Sequence, residues 1–226
     1  MLRAFGGVGV RLSCSSGAYL FEKVGRVSYP DIDLVGYNKQ VKSILNLMKT
    51  LGYELDWGVF SIERKMFRNN STDLNVDLFL DRLNLCHVID LRDKLEQTTY
   101  TLPATELLLT KLQIVKLNEK DVKDIILLLN DCYTQSGDRN NAIDVRYIAQ
   151  LLSKDWGFYY TVTTNLTKTR SMLDKYRILE QYATILNKRI DMLLSVIEAI
   201  PKTFGWKLRA RVGPSKKWYN DVEEVR

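Results

Sequence analysis

The alternation of residues between positions 74 and 81 restricts the fold more than any other feature of the sequence. Leucine or valine occupies positions 74, 76, 78 and 80, and Asn75, Asp77, Phe79 and Asp81 lie between them. A repeat of two is typical of a β-strand with one apolar face, because successive side chains point to opposite sides of a sheet. The chain is therefore expected to build a sheet, and the second face of this strand carries Asp77 and Asp81.

A second apolar segment, residues 32–35, includes Asp33 and directly follows Asp31. Asp31 and Asp33 flank Ile32, so in a strand both carboxylates share one face while Ile32 points into the core. Burying two unpaired carboxylates is costly, and a divalent cation relieves their repulsion. A surface turn is the alternative explanation for such a pair, but acidic residues inside apolar strands usually have a partner. We therefore expect Asp31 and Asp33 to bind Mg²⁺, or Mn²⁺ in its place.

A third carboxylate from a neighbouring strand would complete a two-metal site of the kind used for nucleotidyl transfer. Asp77 is the first candidate because it lies within the strand predicted over 74–81. Asp81 lies on the same predicted face and is the second candidate. We expect the carboxylates of Asp31, Asp33 and Asp77 to converge.

Helical patterns occupy most of the remaining sequence. Asn118 is a good cap for one of these helices, and Pro103 suits the start of another. Apolar spacing and leucine content predict helices over 39–51, 105–116, 119–129, 142–153 and 168–200, with a break near Trp156 and Gly157.

The predicted elements divide the chain into two regions. Residues 1–135 hold the strands and their helices, residues 142–226 are helical with a basic tail, and the polar loop 134–141 separates them. We therefore predict an α+β fold with a catalytic region followed by a helical C-terminal region.

Composition argues against several classes of protein. The sequence has no apolar run of about 18 residues, so no membrane contact is expected. It has three widely spaced cysteines and a single histidine, His87, which supports neither a zinc site nor a disulfide framework. Reduced thiols and a cytoplasmic location are the simplest expectation. His87 is expected to be a packed residue rather than a catalyst.

The positive charge of the chain is concentrated at its C-terminal end. Residues 1–161 hold 20 basic and 20 acidic residues, so the last 65 residues contribute the whole formal net charge of +6. Trp206, Trp218 and Tyr219 lie among the basic residues of the tail. Aromatic rings can stack on bases while cations meet phosphates, which makes RNA a candidate partner. The alternative is that these rings pack the tail onto the body of the protein.

Three further features accompany the aspartates. Gly6 and Gly7 precede them, Leu107–Lys111 forms a leucine-rich segment that ends in lysine, and residues 119–124 read Glu-Lys-Asp-Val-Lys-Asp. With Asp31-Ile32-Asp33-Leu34 and Val76-Asp77, this combination resembles the nucleotidyltransferase superfamily with the polymerase-beta fold. The closest likeness is to the branch of minimal nucleotidyltransferases and AbiEii-type toxins. The resemblance covers residues 5–130.

The resemblance implies a short mixed sheet flanked by helices, and it implies roles for individual residues. Asp31 and Asp33 would hold magnesium, and Asp77 would help to activate the acceptor hydroxyl. Asp121 and Asp124 would orient the neighbouring helices or basic groups. Gly6 and Gly7 could equally form a tight turn, and the lysines could be ordinary solvated residues. The nucleoside triphosphate would contact Gly6, Gly7, Arg26, Lys111 and Lys120.

The expected activity is transfer of a nucleoside monophosphate from a nucleoside triphosphate to a hydroxyl. An RNA 3′ end, a protein or a small molecule could be the acceptor. The alternative is a non-catalytic nucleotide-binding or toxin-like interaction module, and a helical adaptor built on residues 142–200 is a third option. Only five residues precede Gly6, where the family normally has a helix, and this departure from the family pattern favours the non-catalytic alternative.

Overall fold

A computed structural model describes residues 1–14, 17–56, 63–72, 74–133, 142–176, 178 and 180–222. The strands in this part of the chain are β1 (Leu2–Phe5), β2 (Asp31–Gly36), β3 (Glu54–Asp56), β4 (Arg64–Asn69), β5 (Leu74–Leu80), β6 (Arg82–Asn84) and β7 (Val88–Asp90). The α-helices are α1 (Gly6–Ser13), α2 (Gly17–Lys23), α3 (Val41–Thr50), α4 (Ala104–Leu112), α5 (Glu119–Asp131), α6 (Val145–Leu152), α7 (Trp156–Met172), α8 (Glu180–Ala199) and α9 (Phe204–Val212).

The main sheet has five strands in the order β1-β2-β5-β4-β3. The central pair, β2 and β5, is parallel, and the other neighbours are antiparallel. The predicted α+β fold with a mixed sheet and flanking helices is therefore confirmed. β6 and β7 form a separate two-stranded sheet directly after β5.

The two faces of β2 and β5 differ in chemistry because side chains alternate along a strand. Ile32, Leu34 and Val76 face one side and pack with α3 in a small apolar cluster. The opposite face contributes Val35 and Phe79 to the main core. The aspartates share this second face, at the beginning of the parallel strands, where the apolar layer gives way to charge.

Helices α4 and α5 fill the main core behind that second face. α4 has apolar residues around most of its circumference and is buried along its length, as expected for a helix surrounded by other elements. It contacts α1, α5 and α7. The predicted cap of α5 is confirmed, because the Asn118 side chain accepts a hydrogen bond from the Asp121 backbone N–H.

The C-terminal helices continue the same core. One cluster of buried apolar residues extends from Phe5 to Ile197 and so includes side chains of both predicted regions. The predicted boundary at 134–141 lies outside the described residues. The predicted break near Trp156 was displaced, since α6 ends at Leu152 and Asp155 caps α7 through a hydrogen bond from Phe158 N. The many aromatic and threonine residues of α7 are weak helix formers, so burial rather than propensity determines this helix.

Most of the other predicted elements agree with the structure, but the single helix predicted over 168–200 is wrong, because its described residues belong to the end of α7, a 3₁₀ turn and α8. The helix predicted over 39–51 is α3 preceded by a short 3₁₀ turn, and the strand predicted over 74–81 is β5. The helix predicted over 105–116 ends earlier, at Leu112. No helix in the described part of the chain is long and apolar enough to cross a membrane.

Candidate functional site

The parallel pairing of β2 and β5 brings the predicted acidic residues together. Asp33 lies directly opposite Asp77 in the register, and Asp31 lies opposite Asn75. Residues paired across neighbouring strands point to the same face, so Asp31, Asp33 and Asp77 share one face. The sequence predicted this shared face for Asp31 and Asp33, whereas only the strand pairing adds Asp77.

The electrostatics of Asp33 indicate an excess of negative charge at this point. Burial, together with smaller effects of the charges of Asp31 and Asp77, raises the pKa of Asp33 from 3.8 to about 7. Lys111 and Arg64 oppose the increase without cancelling it. A carboxyl group in this position is therefore poised to gain a positive partner.

Gly6 lies against the Asp33 carboxylate. A Cβ atom on Gly6 would lie 1.7 Å from Asp33 Oδ2, and the φ of Gly6 is +59°, so both space and backbone conformation require glycine. Gly6 is the first residue of α1, whose initial N–H groups have no partners within the helix. The two interpretations of the glycine pair, a tight turn and a phosphate contact, are therefore compatible. The tight turn directs the N-terminus of α1 toward the sheet face that carries Asp31, Asp33 and Asp77, which we call the acidic face.

Gly7 contacts a different residue, Arg26. A Cβ atom on Gly7 would approach Arg26 Nη2 to 2.2 Å. Arg26 is buried, and its Nε donates a hydrogen bond of 2.7 Å to Asp124 Oδ1. Its Nη1 donates to the Ser28 backbone carbonyl. The guanidinium predicted to contact a phosphate thus lies beside the glycine pair, but it is held by a carboxylate of α5.

Lys111 is buried between two carboxylates of α5. Its Nζ lies 3.0 Å from Asp121 Oδ1 and 3.0 Å from Asp124 Oδ2. Burial alone would lower the pKa of Lys111, but Asp124 and Asp121 more than offset this and raise it. Lys111 is therefore a permanent cation whose field reaches Asp33, rather than a free surface lysine.

A residue that the sequence analysis did not identify, Arg64 on β4, contacts Asp77. Arg64 Nε lies 2.9 Å from Asp77 Oδ1, and Arg64 Nη2 lies 2.5 Å from Oδ2, which is a bidentate pair. The Arg64 guanidinium also lies 5.2 Å from the centre of the Phe79 ring. The hydrogen bond to Asp77, despite burial, raises the pKa of Arg64. Only the antiparallel register of β4 and β5 reveals this contact.

Three other predicted or reserve residues lie away from the acidic face. Asp81 follows the end of β5 at a φ of +64° and accepts a hydrogen bond from Asn38 N. It is four residues beyond Asp77, about 13 Å along an extended chain, so it does not serve as the third carboxylate. Lys120 is exposed on α5. His87 is packed, stacking on Phe158 and hydrogen bonding to Thr161, and burial lowers its pKa.

The donor chemistry of the acidic face fits magnesium, although the carboxylates are not preassembled around an ion. Among the described residues, no three histidine, cysteine, aspartate or glutamate side chains form a ready-made metal cluster. Asp77 directs both its oxygens to Arg64. Carboxylate oxygens are nevertheless among the ligands that Mg²⁺ takes in proteins. Asp31 and Asp33 would hold the ion, and Asp77 would join them only on leaving Arg64.

The aromatic residues of the basic tail pack onto α7. The Trp218 ring lies edge-on to Tyr160, with 5.0 Å between ring centres, and its Nε1 donates to Thr161 Oγ1. Trp206 packs in the same way against Tyr159. Of the two interpretations of these rings, the structure supports packing of the tail onto the body. Several cations of the tail remain exposed: Lys207, Arg211, Lys216 and Lys217.

The chain matches no protein-family model, no curated protein and no solved structure.

Proposed function

We propose that the protein is a magnesium-dependent nucleotidyltransferase that moves a nucleoside monophosphate from a nucleoside triphosphate to a hydroxyl acceptor. The observation that carries the proposal is the register of β2 and β5, which sets Asp33 opposite Asp77 with the N-terminus of α1 against Asp33. This arrangement combines a place for cations with a place for phosphate oxygens. The combination suits transfer of a phosphate-bearing group better than any other chemistry of the described residues.

Each residue has a distinct part in the proposed reaction. Asp31 and Asp33 hold the metal, which when bound neutralises charge on the phosphates. Asp77 accepts the proton of the acceptor hydroxyl. The acceptor oxygen forms a bond to the α-phosphorus, the bond to the β-phosphate oxygen breaks, and pyrophosphate leaves. Most of the rate comes from positioning and electrostatic stabilisation rather than from covalent chemistry by the protein.

The phosphates would lie at the beginning of α1. The backbone N–H groups of the first turn of α1 would meet the phosphate oxygens, and Gly6 and Gly7 leave room beside them for Asp33 and Arg26. Arg26 borders Gly7, and Lys111 supplies a positive field from behind the site. Lys120, the other predicted phosphate contact, is exposed on α5 and has no described contact with this face, so we give it no part in the reaction.

A non-catalytic nucleotide-binding module is the second candidate. The observation in its favour is that Asp77 is paired with Arg64, so the three carboxylates do not form a ready-made metal cluster among the described residues. Such a module would bind the triphosphate at α1 without consuming it. Release of pyrophosphate separates the two candidates.

The test is incubation with each α-labelled nucleoside triphosphate, Mg²⁺, and either total RNA or total protein. We expect label in one macromolecular fraction or in a small-molecule product, with release of pyrophosphate. Asp33→Asn should abolish transfer, because the amide keeps the shape but removes the charge that holds the metal. Asp81→Asn is the matched control, since this carboxylate lies beyond the end of β5. Undiminished transfer by folded Asp33→Asn protein would contradict the proposal.

Among the possible acceptors, the exposed cations of the tail favour RNA. Replacing Lys207 and Arg211 by glutamate leaves the packed rings of Trp206 and Trp218 in place, unlike deletion of residues 202–226. If both cations contact phosphates in the wild-type protein, the double variant should bind RNA more weakly. The slope of log K against the logarithm of the salt concentration should then be smaller in magnitude by roughly 1.4. An unchanged slope would remove RNA from the proposal and leave the protein or small-molecule acceptors.

A further inference from the structure

Arg64 occupies the side of Asp77 that faces the proposed chemistry. The Arg64 and Asp77 side chains are 23% and 15% exposed, so neither is deeply buried and a ligand can reach both. Their contact is bidentate and charge-assisted, which makes it one of the stronger polar contacts available to a protein. The pair is therefore stable in the absence of ligand and open to competition in its presence.

Because the Arg64–Asp77 pair lies beside Asp33, it affects which carboxylates a metal ion can use. Asp77 lies directly opposite Asp33, and Arg64 is close enough to lower the pKa of Asp33. A guanidinium and a divalent cation at the same carboxylate repel each other. As long as Arg64 holds both oxygens of Asp77, the metal has Asp31 and Asp33 as its carboxylate ligands on this face.

A nucleoside triphosphate offers Arg64 an equivalent partner. Arginine binds phosphate and carboxylate through the same planar pair of N–H donors, so exchanging one for the other conserves the hydrogen bonds. The metal alone offers no such exchange, because it would leave a partly buried guanidinium without an acceptor. The geometry therefore links the release of Asp77 to the arrival of phosphates.

We propose that Arg64 is a triphosphate-binding residue that holds Asp77 until the nucleotide arrives and then transfers its guanidinium to the phosphates, which frees Asp77 for the metal. This inference rests on the proposed function and adds a regulatory step to the same site. It requires that metal and nucleotide bind cooperatively, each tightening the binding of the other. It also requires arginine at position 64, since lysine has the charge without the planar pair of donors.

The experiment measures Mn²⁺ binding by electron paramagnetic resonance, with and without the α,β-methylene analogue of ATP, which resists transfer. In the wild-type protein the analogue should tighten Mn²⁺ binding, after allowance for Mn²⁺ bound to the free analogue. Arg64→Gln should bind Mn²⁺ alone about tenfold more tightly than the wild-type protein, because the competing cation is gone. The same variant should bind the analogue more weakly and lose the cooperativity.

Arg92→Gln is the matched control, since Arg92 forms a bidentate pair with Asp90 on the surface. It should leave both affinities unchanged. Arg64→Lys is the second variant, expected to fold as the wild-type protein does and to show weakened cooperativity. If Arg64→Gln and Arg64→Lys both bind Mn²⁺ no more tightly than the wild-type protein, the inference is overturned.

Two combinations of results distinguish failure of this inference from failure of the proposed function. Absence of transfer with every nucleotide, together with tighter Mn²⁺ binding by Arg64→Gln, would remove the function and keep the competition at Asp77. Normal transfer with unchanged Mn²⁺ binding by Arg64→Gln would keep the function and remove the inference.

Discussion

Two neighbouring charged clusters of this protein differ in how their charges are balanced. In the first, Arg26 and Lys111 are paired with Asp121 and Asp124, so two cations meet two anions in a buried network. We call it the balanced cluster. In the second, Asp31, Asp33 and Asp77 share one face, and Arg64 pairs with Asp77. We call it the acidic cluster.

The comparison shows how charge balance separates a structural role from a ligand-binding one. A buried ion pair that is fully matched contributes to a unique arrangement of the core and needs nothing from outside. A buried carboxylate without enough positive charge remains destabilised until a proton or a cation binds. The raised pKa of Asp33 is the sign of that second condition. The predictions below test whether the two clusters respond differently.

The largest expected effect follows from unbalancing the balanced cluster. Asp124 is fully buried and pairs with both Arg26 and Lys111, so Asp124→Leu removes the carboxylate partner of Arg26 and leaves Lys111 with Asp121 alone. The free energy of unfolding should fall by about 3–5 kcal/mol, measured by urea denaturation. A loss below about 1 kcal/mol would show that the cluster is not a structural element.

The second-largest effect concerns the acidic cluster, where a substitution should raise the free energy of unfolding instead of lowering it. Without metal, folded Asp33 releases its proton near pH 7, whereas the unfolded chain releases it near 3.8. The folded state therefore holds the proton more tightly, and stability falls as the pH rises from about 4 to about 7. Asp33→Asn should remove this fall and be more stable than the wild-type protein above pH 7, on the order of 2–4 kcal/mol.

The measurement is urea denaturation in EDTA at several pH values. Asp81→Asn is the comparison variant, and it should retain the pH dependence of the wild-type protein. An Asp33→Asn protein that is less stable than the wild-type protein at pH 8 would mean that the Asp33 charge is already compensated.

A smaller effect is stabilisation by magnesium, which should occur only through the acidic cluster. At a concentration ten times its dissociation constant, Mg²⁺ should stabilise the folded state by about 1.4 kcal/mol at pH 8. Calorimetry should show a higher melting temperature for the wild-type protein and no increase for Asp33→Asn. Equal stabilisation of both proteins would place the bound ion elsewhere.

The smallest effect is expected for an exposed group of charges beside the balanced cluster. Glu119 contacts Lys123 and Lys175 at the surface, where water screens the interaction. Glu119→Gln should barely change the urea midpoint, and any change should vanish in 1 M salt. A large shift would show that the surface group and the buried cluster act as one network.

The local elements of the fold could be predicted because their signals are periodic. The alternation that ends at Leu80 predicted β5, and Asn118 predicted the beginning of α5. α7 was only partly predicted, since its threonine and aromatic residues are weak helix formers.

The sequence by itself determined that Asp31 and Asp33 share a strand face, because the repeat of two is a property of the extended backbone. It also determined that Asn118 caps a helix and that a strand occupies residues 74–81, of which Leu74–Leu80 form β5. The tertiary structure decided which residues join the two aspartates. The parallel pairing of β2 and β5 chose Asp77 over Asp81, and the antiparallel pairing of β4 and β5 brought in Arg64. Strand order and register are set by how the apolar faces pack together, so contacts across strands cannot be read from residue spacing along one of them.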